Sequence, residues 1–286
     1  MTFSIVGFDP KTRELGIAVQ SKFIAVGLVV PWAQAGVGAV ATQSYANPAY
    51  GPDGLALMAE GKTAQETVDL LIEKDGGRSY RQVGIVDAKG NAATFTGEFC
   101  YEWAGGRVGK HYAAQGNILV SAQTVDAMAN IFEKTEGSPL ADRLLAALAA
   151  GQHAGGDSRG KQSAALYVVK EHGGYLGAND HYIDLRVDDH LEPIEELQRI
   201  YQLHQLYFGV TKQSDVLVME GEVRQDVVHH LTRLGYLEST DVDDQILEKG
   251  LTAFIHKENF ESRDLIQGHI DANVLDFLKG KELIGS

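Results

Sequence analysis

A single cysteine, Cys100, in a chain of 286 residues excludes a disulfide framework and any cysteine-rich zinc site. No stretch approaches the roughly 18 uninterrupted apolar residues of a membrane-spanning helix, so no membrane partner is expected. The opening MTFSIVGFDP has no basic segment ahead of an apolar one, and a secretory leader is not expected. Basic residues are outnumbered, 25 Lys and Arg against 39 Asp and Glu, and they form no concentrated stripe; nucleic acid is therefore not the expected partner. What is abundant is apolar material, 44% of residues, enough for a sizeable core. The expectation is a soluble, cytoplasmic, globular protein.

The net charge of −14 is unevenly spread. Residues 201–286 carry 8 basic and 15 acidic side chains, half of the excess in less than a third of the chain. Composition shifts as well, from Gly- and Ala-rich sequence to Leu, Gln, His and acidic residues. A boundary is placed near Phe208–Gly209, giving a large domain over 1–208 and a small one over 209–286.

Thr2–Phe8 and Leu15–Ser21 read as strands joined by the turn chemistry of Asp9-Pro10-Lys11. Val26–Trp32 and Val37–Gln43 read as a second pair, and short links imply antiparallel neighbours throughout. Helices are expected over Gly54–Glu60 and after the capping box Thr63-Ala-Gln-Glu66. A hairpin follows over Gln82–Asp87 and Ala92–Thr96, then a strand Tyr112–Gln115 closed by Gly116-Asn117. Helices Val125–Lys134 and Leu140–Ala150, strands Ala164–Val169 and Ile183–Val187, and a helix from Ile194 to Tyr207 complete the large domain. Blocks of strands separated by helical pairs do not alternate as a parallel sheet requires. An α+β, four-layer αββα sandwich accommodates this order, with a small all-α domain behind it.

Several familiar chemistries are excluded. Gly155–Lys161 nearly spells a phosphate-binding loop, but Gln162 stands where a magnesium-holding Ser or Thr belongs, and a helix precedes it where a strand should. No His-Glu-x-x-His pattern occurs and no metal site is expected; Asp188-Asp189-His190 reads as a helix cap, with a metal-dependent enzyme as the competing idea. No G-x-S-x-G elbow is present, and Cys100 reads as apolar filler.

Thr2 differs from these. Methionine ahead of a small residue is commonly removed, which would leave a hydroxyl and a free α-amine on one residue at the head of a strand. An α-amine with a pKa of about 8 is partly neutral at pH 7 and can accept the hydroxyl proton.

On these residues the chain resembles the N-terminal-nucleophile (Ntn) hydrolase superfamily, which includes proteasome subunits, and more closely an uncharacterised Ntn-like family of bacteria and archaea. The resemblance spans roughly Met1–Phe208. It rests on Thr2-Phe-Ser-Ile, Gly16-Ile-Ala-Val-Gln-Ser-Lys-Phe23, Gly36-Val-Gly-Ala-Val-Ala-Thr-Gln43, Gln115-Gly-Asn117, Gly155-Gly-Asp-Ser-Arg-Gly-Lys-Gln-Ser163 and Leu185-Arg-Val-Asp-Asp189. It implies Thr2 as nucleophile, with Asn117, Asp157 and Ser163 supporting it. Gln43 and Asn47 fall where related enzymes place oxyanion donors, and Arg159 would touch substrate. Proteasome-type sites carry a lysine on the third strand; none lies there, and Lys22 either substitutes by reaching into the site or solvates an edge. The last 70 or so residues resemble a small three-helix peptidoglycan-binding module. No export signal accompanies it, so a contact within the chain or between subunits is an equal reading.

The expected function is hydrolysis of a small, non-peptide amide or related C–N bond, without a cofactor, by a homo-oligomer acting on a small molecule. The alternative is a non-catalytic binding or assembly protein on the same scaffold.

Overall fold

The computed structural model of the chain describes residues 2–282. In chain order the elements are β1 (Thr2–Phe8), β2 (Leu15–Ser21), β3 (Pro31–Gln34), β4 (Gly38–Ser44), α1 (Tyr50–Ala59), α2 (Ala64–Glu73), β5 (Arg81–Asp87), β6 (Ala92–Thr96), β7 (Gly105–Gly109), β8 (Tyr112–Asn117), α3 (Gln123–Lys134), α4 (Leu140–His153), β9 (Ser163–Val169), β10 (His181–Val187), α5 (Pro193–Phe208), β11 (Val216–Val218), α6 (Gly221–Arg233), α7 (Asp244–Lys257), β12 (His269–Asp271) and α8 (Ala272–Gly280). The chain forms two compact units, Met1–Arg199 and Ile200–Ser286. The division falls inside α5, whereas the shift in composition lies at the end of that helix.

The first unit holds an antiparallel sheet ordered β10-β9-β2-β1-β8-β7 and a second ordered β3-β4-β5-β6. Every residue of β1 and β2 is buried, because both faces of these strands are covered. On one face Val6, Ile17 and Val19 share a cluster with Ala39, Ala41 and Val86 of the second sheet. On the other, Gly7 and Gly16 lie against Phe132, Leu140 and Leu144, close enough that a Cβ at Gly16 would sit 2.7 Å from the Leu144 side chain. Val40, Val83 and Ile85 of the second sheet pack against Tyr50, Met58, Val68 and Leu71 of α1 and α2. Helix α2 begins with the expected capping box, Thr63 and Glu66 each bonding the other's backbone amide.

Four local expectations need correction. Val26–Trp32 is not a strand: Ala25 turns left-handed at φ 52°, and Val26–Leu28 forms a 3-10 turn in which the Leu28 amide donates to the Ala25 carbonyl and the Val29 and Val30 amides to the Val26 carbonyl. Strand β3 starts only at Pro31, on a sheet edge where a residue without an N–H is tolerated. β2 and β3 are not neighbours but belong to different sheets. β8 runs on through Gly116 and Asn117 instead of closing before them. Strand β7, Gly-Gly-Arg-Val-Gly, carries no strand signal of its own; its order comes from pairing with β8 and not from propensity.

The second unit is helical, as expected, with a two-stranded ribbon of β11 and β12 added. Its core gathers Val227, Leu231, Leu251, Phe254, Phe260 and Val274. A buried ion pair fixes it: Arg263 Nη1 lies 2.6 Å from Asp271 Oδ2, with side chains 5% and 0% exposed. The guanidinium also donates to the Leu206 and Gln205 carbonyls, while Asp271 accepts from Thr211 Oγ1 and caps the first turn of α8. Burial alone would raise the Asp271 carboxyl, but hydrogen bonds from Thr211, Asn273 and Arg263 outweigh it and hold it below its ordinary value. Arg263→Ala strands that carboxylate, and urea unfolding should show a loss of about 3–5 kcal/mol. Because the folded carboxyl is the stronger acid, the wild-type contribution is fully present above about pH 4 and disappears as pH falls through the lower folded value. The variant's unfolding should lack that acid limb.

Candidate active site

The register of the six-stranded sheet places four hydroxyl or amide side chains in one cross-strand row. Thr2 lies opposite Ser21 on one side and Asn117 on the other, and Ser21 lies opposite Ser163. Residues directly opposite in an antiparallel pair point to the same face. That face is the one toward the second sheet, since Ser4, two residues along from Thr2, donates to Gln43 Oε1 at 2.6 Å. All four are buried, Thr2 at 4% exposure, and Thr2 Oγ1 donates to Ser21 Oγ at 3.0 Å.

Behind the row lies a closed set of uncharged amides. Gln82 Oε1 accepts from Gln43 Nε2 and from Asn117 Nδ2, both at 2.8 Å. The same two nitrogens reach the Thr2 carbonyl at 3.3 and 3.5 Å. Gln82 Nε2 donates to the Gly116 carbonyl at 2.8 Å and Thr96 Oγ1 at 2.9 Å, and Gln115 Nε2 donates to Ser4 Oγ at 2.7 Å. Gly84 makes room for this: a Cβ there would fall 2.0 Å from Gln115 Oε1. The network bridges the two sheets with neutral carboxamides and the Ser4 hydroxyl; Gln43 and Gln82 each donate and accept, Gln115 only donates and leaves its Oε1 without a partner, and no charged side chain enters the network.

The loops at this end are held in unusual backbone conformations. Ala25, Ser44 and Ile118 are non-glycine residues with φ of 52°, 70° and 51°; Ala25 lies in the loop after β2, Ser44 ends β4 and Ile118 follows β8. Such residues concentrate at functional sites, where surrounding structure fixes them. Asp157 joins two of these loops. It accepts from the Lys22 amide at 3.1 Å and from the Arg159 guanidinium at 2.9 Å, and its backbone bridges Leu119.

The structure thus brings together Thr2, Asn117 and Ser163 in the row, with Gln43 and Asp157 beside it and Arg159 on Asp157. Ser163 uses its hydroxyl locally, donating to the Phe23 carbonyl and accepting from the Val26 amide. Lys22 turns outward, its Nζ 3.3 Å from the Lys161 carbonyl. Asn47 belongs to another cluster, donating to Asp75 Oδ2. There the Arg81 guanidinium, hydrogen-bonded to Asp75, holds the Asp75 carboxyl far below its usual range, with the Gly77 amide, Tyr50 and Asn47 assisting. Cys100 is buried filler with its thiol on the Arg81 carbonyl. Asp189 does not cap α5: it accepts from Gln162, and His190 Nδ1 takes the Glu192 amide instead. Among the described residues no three His, Cys, Asp or Glu side chains are grouped to hold a metal, and no helix is long and apolar enough to cross a membrane.

Ser21, Gln82 and Gln115 are the members that motif reasoning missed. A signal was present: a glutamine or serine near the end of an otherwise apolar strand, as in Ala-Val-Gln-Ser21, Arg81-Gln-Val and Ala-Ala-Gln115. Gln82→Leu removes the acceptor shared by Gln43 and Asn117. Two buried donors lose their partner, and chemical denaturation should report a loss of about 2–4 kcal/mol.

Residues 2–197 match the model of a family described as "Family of unknown function (DUF1028)". Residues 207–278 match a model described as "Putative peptidoglycan binding domain". Among solved structures the chain is similar to protein SPO2555 from Silicibacter pomeroyi, assigned to the same DUF1028 model, at 30% identity and a TM-score of 0.65. The similarity covers 71% of this chain and 89% of that one. No curated protein matches.

Proposed function

The chain belongs to the DUF1028 family of unknown function, and from that premise we propose that it is a hydrolase of a small, non-peptide amide or related C–N bond with Thr2 as nucleophile. The single observation that carries this reading is the buried row Ser163–Ser21–Thr2–Asn117, with the Thr2 hydroxyl 3.0 Å from a second hydroxyl. The packing of α1 and α2 on one sheet and of α3 and α4 on the other supports an αββα, Ntn-type sandwich. The same reading makes 1–208 the catalytic domain and 209–286 a helical accessory.

Met1 lies outside the described residues, and its removal is part of the proposal. The freed α-amine accepts the hydroxyl proton as Thr2 Oγ1 bonds to the substrate carbonyl carbon. The C–N bond then breaks, the leaving nitrogen takes the proton, and water cleaves the resulting ester to restore Thr2. Gln43 and Asn117 keep the Thr2 backbone in place through its carbonyl, and Ser21 orients the hydroxyl. Asp157 and Arg159 shape the rim; Lys22 has no part in the chemistry, given where its ammonium lies. No step calls for a cofactor.

One observation favours the alternative, a non-catalytic binding or assembly protein: the Ser163 hydroxyl and the Lys22 ammonium are both engaged with loop carbonyls. Activity separates the two. Intact mass should show a chain shorter by the initiator methionine, and wild type should release amine from members of a small-amide panel. Thr2→Ala should lower kcat by at least about 1,000-fold, while Thr2→Ser should retain turnover. The rate should fall as pH drops below about 8, where the amine is protonated and cannot accept. A retained methionine, or equal turnover by Thr2→Ala, would refute the assignment.

A further inference from the structure

Four aromatic rings form a connected, solvent-facing surface at the end of the sheets that carries Thr2. Tyr101, Tyr45, Tyr80 and Phe99 follow one another with ring centroids 6.3, 5.7 and 5.2 Å apart, and each is between 45% and 57% exposed. Chain connectivity ties them to the buried amides. Tyr45 is two residues beyond Gln43, Tyr80 two before Gln82, and the Tyr101 carbonyl accepts from Ile118, the residue after Asn117.

The surface is held rigid by its loops. Tyr45 donates its amide to the Tyr80 carbonyl, Phe99 donates to Ser79, and Arg81 Nη1 holds the Tyr45 carbonyl. Ordering these rings therefore costs a ligand little. Successive planes meet at 53°, 80° and 51°, so the rings present faces and edges in alternation instead of one flat plate. Such an arrangement receives a further ring by offset or edge-to-face contact. The hydroxyls of Tyr45 and Tyr101 are 3.4 Å apart, and this hydrogen bond raises the Tyr45 phenol above its usual value, keeping it neutral. Charged residues of both signs flank the rings, Arg78 and Arg81 beside Tyr80, Glu98 before Phe99 and Glu102 after Tyr101, with Arg81 matched by Asp75 and Glu98 accepting from the Ser79 hydroxyl. This balance of signs favours neither a cationic nor an anionic ligand.

We propose that these four rings are the recognition surface for an uncharged, planar aromatic or heteroaromatic group carried by the substrate. The proposal rests on reading Thr2 as the nucleophile, because that is what makes this end of the sheets a substrate mouth. Discrimination by ring character should be at least about tenfold, the scale of one or two aromatic contacts.

The test measures binding apart from chemistry. Benzamide and cyclohexanecarboxamide, alike in polar group and size but not in π character, are titrated into the full-length Thr2→Ala protein by calorimetry. Benzamide should bind at least about tenfold tighter. Tyr101→Ala in the same background should remove that preference, and Tyr101→Phe should keep it, with circular dichroism and thermal melts confirming that both variants fold. Equal affinities, no binding of either amide, or a preference that survives Tyr101→Ala would overturn the proposal. So would tighter binding of phenyltrimethylammonium than of benzamide, or a self-associated wild type that Tyr101→Ala renders monomeric. Failure of the nucleophile reading shows separately, as ring-selective binding with no ammonia released from benzamide by wild type.

Discussion

Strand β1 is held on both edges, with Thr2 facing Ser21 across one and Asn117 across the other. Side chains alternate along a strand, so a slip of one residue would exchange its two faces completely. Phe3 would leave its place beside Gly151, and the hydroxyls of Thr2 and Ser4 would be driven among Phe132 and Leu140. The apolar halves of the strand thus fix the register, and the register delivers the polar row. What looks like a constellation of chemical groups is, at the level of folding, a consequence of where phenylalanine and valine can go.

The amide network answers the problem that this burial creates. Four carboxamides and a serine sit between two sheets with almost no access to water, and an unpaired polar atom there would be costly. Gln82 resolves most of it by accepting two hydrogen bonds and donating others, so that one side chain serves Gln43 of its own sheet and Asn117 of the other. Charges are kept to the margin, where Asp75 with Arg81 and Asp157 with Arg159 pin the surrounding loops. A neutral interior with a charged rim leaves Thr2 in a medium of low polarizability, where one titrating group would dominate the local electrostatics.

Strands of strong apolar character, the capping box at Thr63 and the α3 and α4 helices were legible because local pattern and burial agree there. The fold departs from the sequence signal where tertiary pairing overrides it. Val26–Trp32 has β-forming composition but yields to a left-handed turn at Ala25 that Ser163 supports from another strand. Gly105–Gly109 has almost none, yet becomes a strand because β8 offers it an edge. In the candidate site, Thr2, Asn117 and Ser163 could be named from motif positions. Gln82 could not, because its role exists only once two sheets meet. Lys22 and Asn47 were close in sequence to site residues, but the direction of a long or hydrogen-bonded side chain is not encoded in spacing.

The two outermost strands of the larger sheet also bear on how molecules meet one another. β7 is five residues long, glycine-rich and carries Arg107, and β10 bears the ion pair of Asp184 with Arg186. Short, kinked or charged borders make poor templates for a strand donated by another chain. These two borders of the larger sheet accordingly disfavour ribbon-like pairing with a strand of another copy.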